Sequence, residues 1–205
     1  MTKYPLNLGA AAELMRQAGY ARGADGFFAD AQGTHLHVDF AVQAGSEIQR
    51  MQDILSDSWK RAGFDVRPVV IAPQLFTQLE TRNTLPGLGY AFFSPTGEQT
   101  FLSSEIPTAA NGWTGNNRSG WASAEYDRLG DALATTLDPN ERGDDIARMI
   151  ALVSAELPGY ALYYSLGVNA WDADLQGASP AEVAGFGLSF RGATPYWDIQ
   201  NWSFR

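Results

Sequence analysis

Cysteine does not occur in this chain, which excludes disulfides, thiolate zinc sites and cysteine nucleophiles and leaves the redox compartment open. Histidine is nearly as scarce, with 2 residues, His35 and His37. Basic residues number 14 against 23 acids, a formal net charge of -9, and no run of Lys and Arg is present to neutralise a phosphate backbone, so nucleic acid is not an expected partner. Gly, Pro or a charge interrupts every apolar run well short of the roughly 18 residues a membrane span needs, so direct insertion into a membrane is not expected. Met1-Thr2-Lys3-Tyr4-Pro5 has neither the basic start nor the apolar run of a secretory signal, and a secreted parent is expected to carry its signal upstream. Phosphate loops, metalloprotease motifs and Gly-x-Ser-x-Gly are also missing, so no catalytic residue, metal or cofactor is assigned.

What is present suits a folded core. Hydrophobic residues make up 45% and charged residues 18% of 205, enough apolar surface for one sizeable core. Asn7 caps a helix carrying Leu8, Ala11, Ala12, Met15 and Ala18 at helical spacing, with Gly19 as its stop. Asp30-Ala31-Gln32-Gly33 reads as a turn into a strand in which Leu36, Val38 and Phe40 alternate with His35, His37 and Asp39, one face core and the other wet. Ser46 and Gln49 form a capping-box signature for a helix with core face Ile48, Met51, Leu55, Trp59 and Ala62, ended by Gly63. Asp65 to Ile71 suits a strand, and Pro68 inside it points to a sheet edge or a bulge.

Pro73 opens a helix through Leu75, Phe76 and Leu79, and Leu85 to Phe93 reads as turn then buried strand. Ser94 to Gly120 is too rich in Gly, Pro, Ser and Asn for regular structure, and a loop that long is usually functional. Ser123 caps a helix bearing Tyr126, Leu129, Leu133 and Leu137. Asp138-Pro139-Asn140-Glu141 then starts another, with core face Ile146, Met149, Ile150, Val153 and Leu157. Its acids Glu141, Asp144 and Asp145 favour the helix dipole and read as structural. A strand-like Tyr160 to Tyr164 and an aromatic tail with Trp171, Phe186, Phe190, Tyr196, Trp197 and Trp202 complete the chain. Strands alternating with helices give an α/β fold with a mixed sheet.

The order of these motifs resembles the last third of the dipeptide, oligopeptide and nickel solute-binding proteins of ABC importers, across nearly the whole chain. Ala11 to Tyr20, followed by Asp25-Gly26 and Asp30-Ala31-Gln32-Gly33, looks like that family's helix, Ala-Gly turn, Asp-Gly and D-x-x-G lead into its first strand. Gly63-Phe64-Asp65-Val66 resembles its helix-to-strand step. Asn117-Arg118-Ser119-Gly120-Trp121 leading into Glu125-Tyr126-Asp127-Arg128-Leu129 is the most specific piece, and Asp138 to Arg142 and Glu156-Leu157-Pro158 follow in the family's order.

The resemblance implies a mixed-sheet lobe of a periplasmic-binding-protein-like type II fold, the second, C-terminal lobe at residues 4–170, with an aromatic tail at 171–205 crossing back toward a first lobe. It also implies a small-molecule or peptide ligand, an ABC permease as partner of the full-length protein, no enzymatic activity, and a periplasmic or cell-surface location behind an upstream signal or lipoprotein anchor.

Peptide-binding relatives carry an acid four residues before a Pro in the strand entering the cleft, where it meets the ligand's amino group; counted back from Pro95, that position here is Ala91. A buried ammonium without a carboxylate partner is costly, so free-amine peptides are less favoured ligands. Tyr90, Phe92, Phe93, Trp113 and Trp121 instead suit an apolar or sugar-like ligand, with Asn116 and Asn117 as donors and acceptors; these seven residues are the candidate ligand contacts, against the alternatives of aromatic core and an Asn turn. His35 and His37, with Asp39 beside them, make at most half a metal site. Two competing functions are a small hydrolase using Asp127 and Asp131 in an open cleft, and an interaction module displaying the tail from Trp171 to Trp202.

Overall fold

A computed structural model describes residues 2–90, 99–160, 162, 172–177 and 202–204. The chain divides into two units, Met1–Phe92 with Glu98–Pro158, and Phe93–Gly97 with Gly159–Arg205.

The larger unit is organised by a strand, helix and strand in succession: β3 (His37–Gln43), α2 (Ser46–Ala62) and β4 (Asp65–Ile71). β3 and β4 pair in parallel from His37 opposite Asp65 to Gln43 opposite Ile71, and β5 (Leu88–Gly89) pairs in parallel with Phe40 and Ala41 on the other side. The sheet order is β4-β3-β5. Among the described residues Pro68 therefore sits in an edge strand, which suits its missing N–H. The antiparallel pairs lie outside this sheet: β1 (Ala21–Arg22) with β2 (Phe28–Ala29), and, in the smaller unit, β6 (Leu175–Gln176) with β7 (Ser203–Phe204).

The face of α2 predicted from spacing packs on the sheet. Ile48, Met51, Leu55 and Trp59 meet buried Phe40, Val42 and Val66. Gly63 ends the helix with φ 105°, a left-handed position that favours glycine. Two details differ from expectation. The strand begins at His37 rather than His35 and buries Phe40, Ala41 and Val42 in succession, because a central parallel strand is covered on both faces. The cap of α2 is Gly45, whose N–H donates to Gln49 Oε1 at 3.2 Å; Ser46 is already helical and bonds no cap donor, so only the glutamine half of the box forms, one residue early.

α1 (Leu8–Gln17) forms with Asn7 Oδ1 accepting from the Ala10 N–H. Pro73 opens only a single turn, α3 (Pro73–Phe76), and Leu79 starts a separate helix, α4 (Leu79–Asn83). Among the described residues the predicted buried strand near residue 90 is a two-residue strand: Leu88 is exposed, Tyr90 half-buried, and Phe92 and Phe93 lie outside the described residues.

A second core lies between α5 (Ala124–Thr135) and α6 (Pro139–Glu156), where Tyr126, Leu129, Leu133 and Met149 are buried and Phe101, Trp121, Ile146 and Val153 pack around them. Ser123 Oγ accepts from Tyr126 N–H, and Asp138 Oδ1 accepts from the N–H groups of Asn140 and Glu141. α5 ends at Thr135, and Arg142 reaches back from α6 to the carbonyls of Leu133 and Thr136, of the kind left orphaned at a helix end. Leu137, predicted on the core face, is consequently 93% exposed in the connection. Ile150 and Leu157 are also largely exposed, and Leu157 ends α6 in a left-handed conformation at φ 52°.

Candidate ligand-facing loop

Residues 99–121 connect the sheet to α5 through two 3-10 turns, Ser103–Glu105 and Ala109–Asn111. Asp127 on α5 holds the first, its Oδ1 accepting from Ser103 N–H at 2.8 Å. Thr108 and Asn111 form a capping box around the second. The chain returns over Glu105: the Asn117 N–H donates to the Glu105 carbonyl at 3.0 Å and the Asn116 N–H to its Oε2 at 3.2 Å. This close approach requires Gly115, at φ 112°, where a Cβ would stand 2.2 Å from the Glu105 carbonyl oxygen.

The two asparagines do different work. Asn117 is wholly buried; its Nδ2 donates to the carbonyls of Phe101 (3.1 Å), Leu102 (3.1 Å) and Trp121 (2.8 Å), and its Oδ1 accepts from Ser119 Oγ at 2.8 Å. Its amide is fully engaged inside the loop. Asn116 is exposed, and only its backbone is tied down. The left-handed positions are Gly112, Trp113, Gly115 and Gly120 rather than either asparagine.

Trp121 packs edge-on against Tyr126 and Phe101 and donates its Nε1–H to Glu156 Oε2 at 2.6 Å. Trp113 is half-buried at φ 60°, and Asn83 on α4 donates its Nδ2–H to the Trp113 carbonyl at 2.7 Å. Tyr90 belongs to the sheet core, beside Phe40, Val42 and Val66. The fold thus gathers Trp113, Asn116, Asn117 and Trp121 in one loop and puts Tyr90 at the end of β5. Phe92 and Phe93 lie outside the described residues, as do Ala91 and Pro95 of the acid-to-proline spacing.

The two histidines are engaged with acids of neighbouring elements. His35 Nε2 lies 2.8 Å from Asp25 Oδ2 and its Nδ1 3.7 Å from Asp65 Oδ2; His37 Nδ1 contacts the same Asp65 oxygen. Arg67 lies with NH2 3.0 Å from His37 Nε2. A guanidinium has no acceptor, so that nitrogen accepts and the ring proton sits on Nδ1, facing Asp65. Among the described residues no group of three or more His, Asp or Glu side chains converges on a metal position. Of the acids considered for hydrolysis, Asp127 anchors the Ser103 turn and Asp131 is exposed one helical turn further on. Among the described residues, no helix is long and apolar enough to cross a membrane.

The parallel sheet with its covering helix and the helical pair form an α/β lobe, and the solved structures it superposes on have the type II periplasmic-binding-protein fold. Among solved structures, the oligopeptide-binding protein AppA of Bacillus subtilis, in complex with a nonapeptide, superposes with a TM-score of 0.72 at 16% identity, covering 100% of this chain and 39% of that one. NikZ of Campylobacter jejuni, in complex with Ni(L-His), gives 0.70 at 16% identity over 98% of this chain and 40% of its own. An oligopeptide-binding protein of Thermus thermophilus, complexed with a pentapeptide, gives 0.66 at 24% identity over 77% of this chain and 29% of its own. The chain therefore spans less than half the length of these proteins. No family model and no curated protein matches it.

Proposed function

We propose that this chain is the C-terminal ligand-binding lobe of an extracytoplasmic solute-binding protein of the peptide/nickel type, which hands a small solute to the permease of an ABC importer at the periplasmic or cell surface. One observation carries the reading: the whole chain follows the fold of a part of AppA, and nearly the whole chain that of a part of NikZ, both of which hold a ligand. No catalytic role is assigned, in keeping with the binding proteins it resembles. The residues proposed to face the solute are Tyr90, Trp113 and Asn116, joined by Phe92 and Phe93. Asn117 and Trp121 support them from behind, since their polar groups are engaged within the protein. The tail from 171 to 205 is the segment proposed to cross toward a first lobe.

The test is a titration of the 205-residue chain with di- to pentapeptides and with nickel-histidine, followed by amide and indole NMR shifts. Saturable shifts concentrated at Tyr90, Trp113 and Asn116 are expected, weak because one lobe supplies only part of the enclosing contacts. Turnover of a hydrolase substrate that Asp127→Asn abolishes, with no response to any of these solutes, would overturn the reading.

A further inference from the structure

Val38, Phe40 and Val42 of β3 pack with the core beneath α2, so His37 and Asp39, which alternate with them, lie on the opposite face of the sheet with Asp65 and Arg67 of β4. The register sets His37 opposite Asp65 and Asp39 opposite Arg67. His37 Nδ1 contacts Asp65 Oδ2, which also lies 3.7 Å from His35 Nδ1. His35 Nε2 in turn lies 2.8 Å from Asp25 Oδ2, in the turn between β1 and β2. The two histidine rings meet edge-on with centroids 6.0 Å apart. Among the described residues, the titratable and charged groups around His37 are therefore Asp65 and Arg67 of β4, Asp39 of its own strand, and His35 with Asp25 behind it; α2 lies on the other face.

Arg67 does not take the partner its register offers. An arginine directly opposite an aspartate on the neighbouring strand is placed for an ion pair. The Arg67 guanidinium instead donates to His37 Nε2 at 3.0 Å, and the Asp39 carboxylate has no ion-pair partner among the described residues. A guanidinium keeps its charge and has no acceptor, so this bond exists only while Nε2 is bare. Histidine is the side chain that takes up a proton from mildly acidic solvent, and the His37 side chain is 41% exposed. With a proton on Nε2, two donors and two positive charges would face each other, while Nδ1–H keeps its bond to Asp65 and gains in charge. The acid left for Arg67 is Asp39. We propose that His37, Arg67 and Asp39 form a proton-operated switch, in which Arg67 leaves the imidazole for Asp39 when His37 becomes charged. The charge change is local and the bistable element is one side chain; the contacts of Asp65 with His37 and of Asp25 with His35 stay closed in both states. The switch does not depend on the solute-binding reading.

The experiment is an NMR pH titration of the whole chain at constant ionic strength, reading the ring nitrogens of both histidines, the Arg67 Nε–Hε resonance and the Asp39 carboxyl carbon. Before the ring charges, the nitrogen shifts should give His37 as the Nδ1–H tautomer. As it charges, the Arg67 and Asp39 resonances should each show a step with the midpoint of His37, apart from the titration of Asp39 itself. His37→Gln should abolish that step at both residues. Asp39→Asn should keep the His37 titration and shrink the Arg67 step, because the released guanidinium then meets no carboxylate. His35→Gln should leave the exchange in place. The wild-type titration decides the matter by itself even where a variant does not fold. An Nε2–H tautomer of neutral His37, an Arg67 resonance indifferent to the charging of His37, an Asp39 carbon without a step at that midpoint, or an unchanged Arg67 step in His37→Gln would each overturn the proposal.

Discussion

The side-chain amide of Gln52, on α2, donates to the Phe40 carbonyl at 2.6 Å and to the Val69 carbonyl at 3.1 Å, so a polar residue only 1% exposed ties the helix to two adjacent strands. Gln52→Leu keeps the volume and abandons both bonds, leaving the carbonyls short of a partner. A loss of roughly 1–3 kcal/mol is expected, measured by urea denaturation. Gln52→Glu should lose more, because a buried carboxylate would then face carbonyl oxygens.

Asn116 and Asn117 separate by a mutant pair. Asn117→Ala strips three carbonyls of their donor and is expected to lower stability by about 2 kcal/mol or more, whereas Asn116→Ala, exposed, should stay within about 0.5 kcal/mol. Thermal and urea melts of the two variants check this. Loss of solute binding in Asn116→Ala with an unchanged melt would mark Asn116 as a contact.

Gly115→Ala would set a methyl group 2.2 Å from the Glu105 carbonyl oxygen at φ 112°. The turn has to open, and a cost above about 1 kcal/mol is expected from backbone conformation alone. Loss of slow hydrogen exchange at the Asn117 amide, while the Val42 amide stays protected, would locate the damage in the loop.

Acid should loosen the turn between β1 and β2. The Asp25 carboxyl is held below its ordinary pKa first by the Phe27 backbone N–H and, more weakly, by His35. A lowered carboxylate contributes stability above its unfolded pKa and loses it as pH falls through the folded value. The melting temperature of wild type should therefore drop more steeply than that of Asp25→Asn as pH falls below the ordinary aspartate range. Parallel curves would show that Asp25 carries no such linkage.

Much of the secondary structure is legible in local chemistry. Asn7, Ser123 and Asp138-Pro139 each start a helix by their own side chains or ring, Gly63 ends one, and Pro68 marks an edge, because each effect acts within a few residues. What escaped the sequence depended on distant partners. Gln52 and Ser56 look like surface residues until strands lie beside α2. Leu137 fits the α5 periodicity, but α5 ends at Thr135, where Arg142 of the next helix meets the carbonyls of Leu133 and Thr136. In the loop, neighbouring asparagines look equivalent, and the carbonyls of Phe101, Leu102 and Trp121 set Asn117 apart from Asn116.

The succession of β3, α2 and β4 also sets an order of events. Their pairing closes over a single intervening helix, and α5 with α6 closes over an even shorter connection, so both pay little loop entropy and can form as independent seeds. The Leu88 edge must instead find Phe40 across α2, β4, α3 and α4. Refolding from denaturant should protect the amides of Val42 and Leu129 early and that of Tyr90, bonded to the Ala41 carbonyl, late, so the loop it leads into takes shape only after both seeds exist.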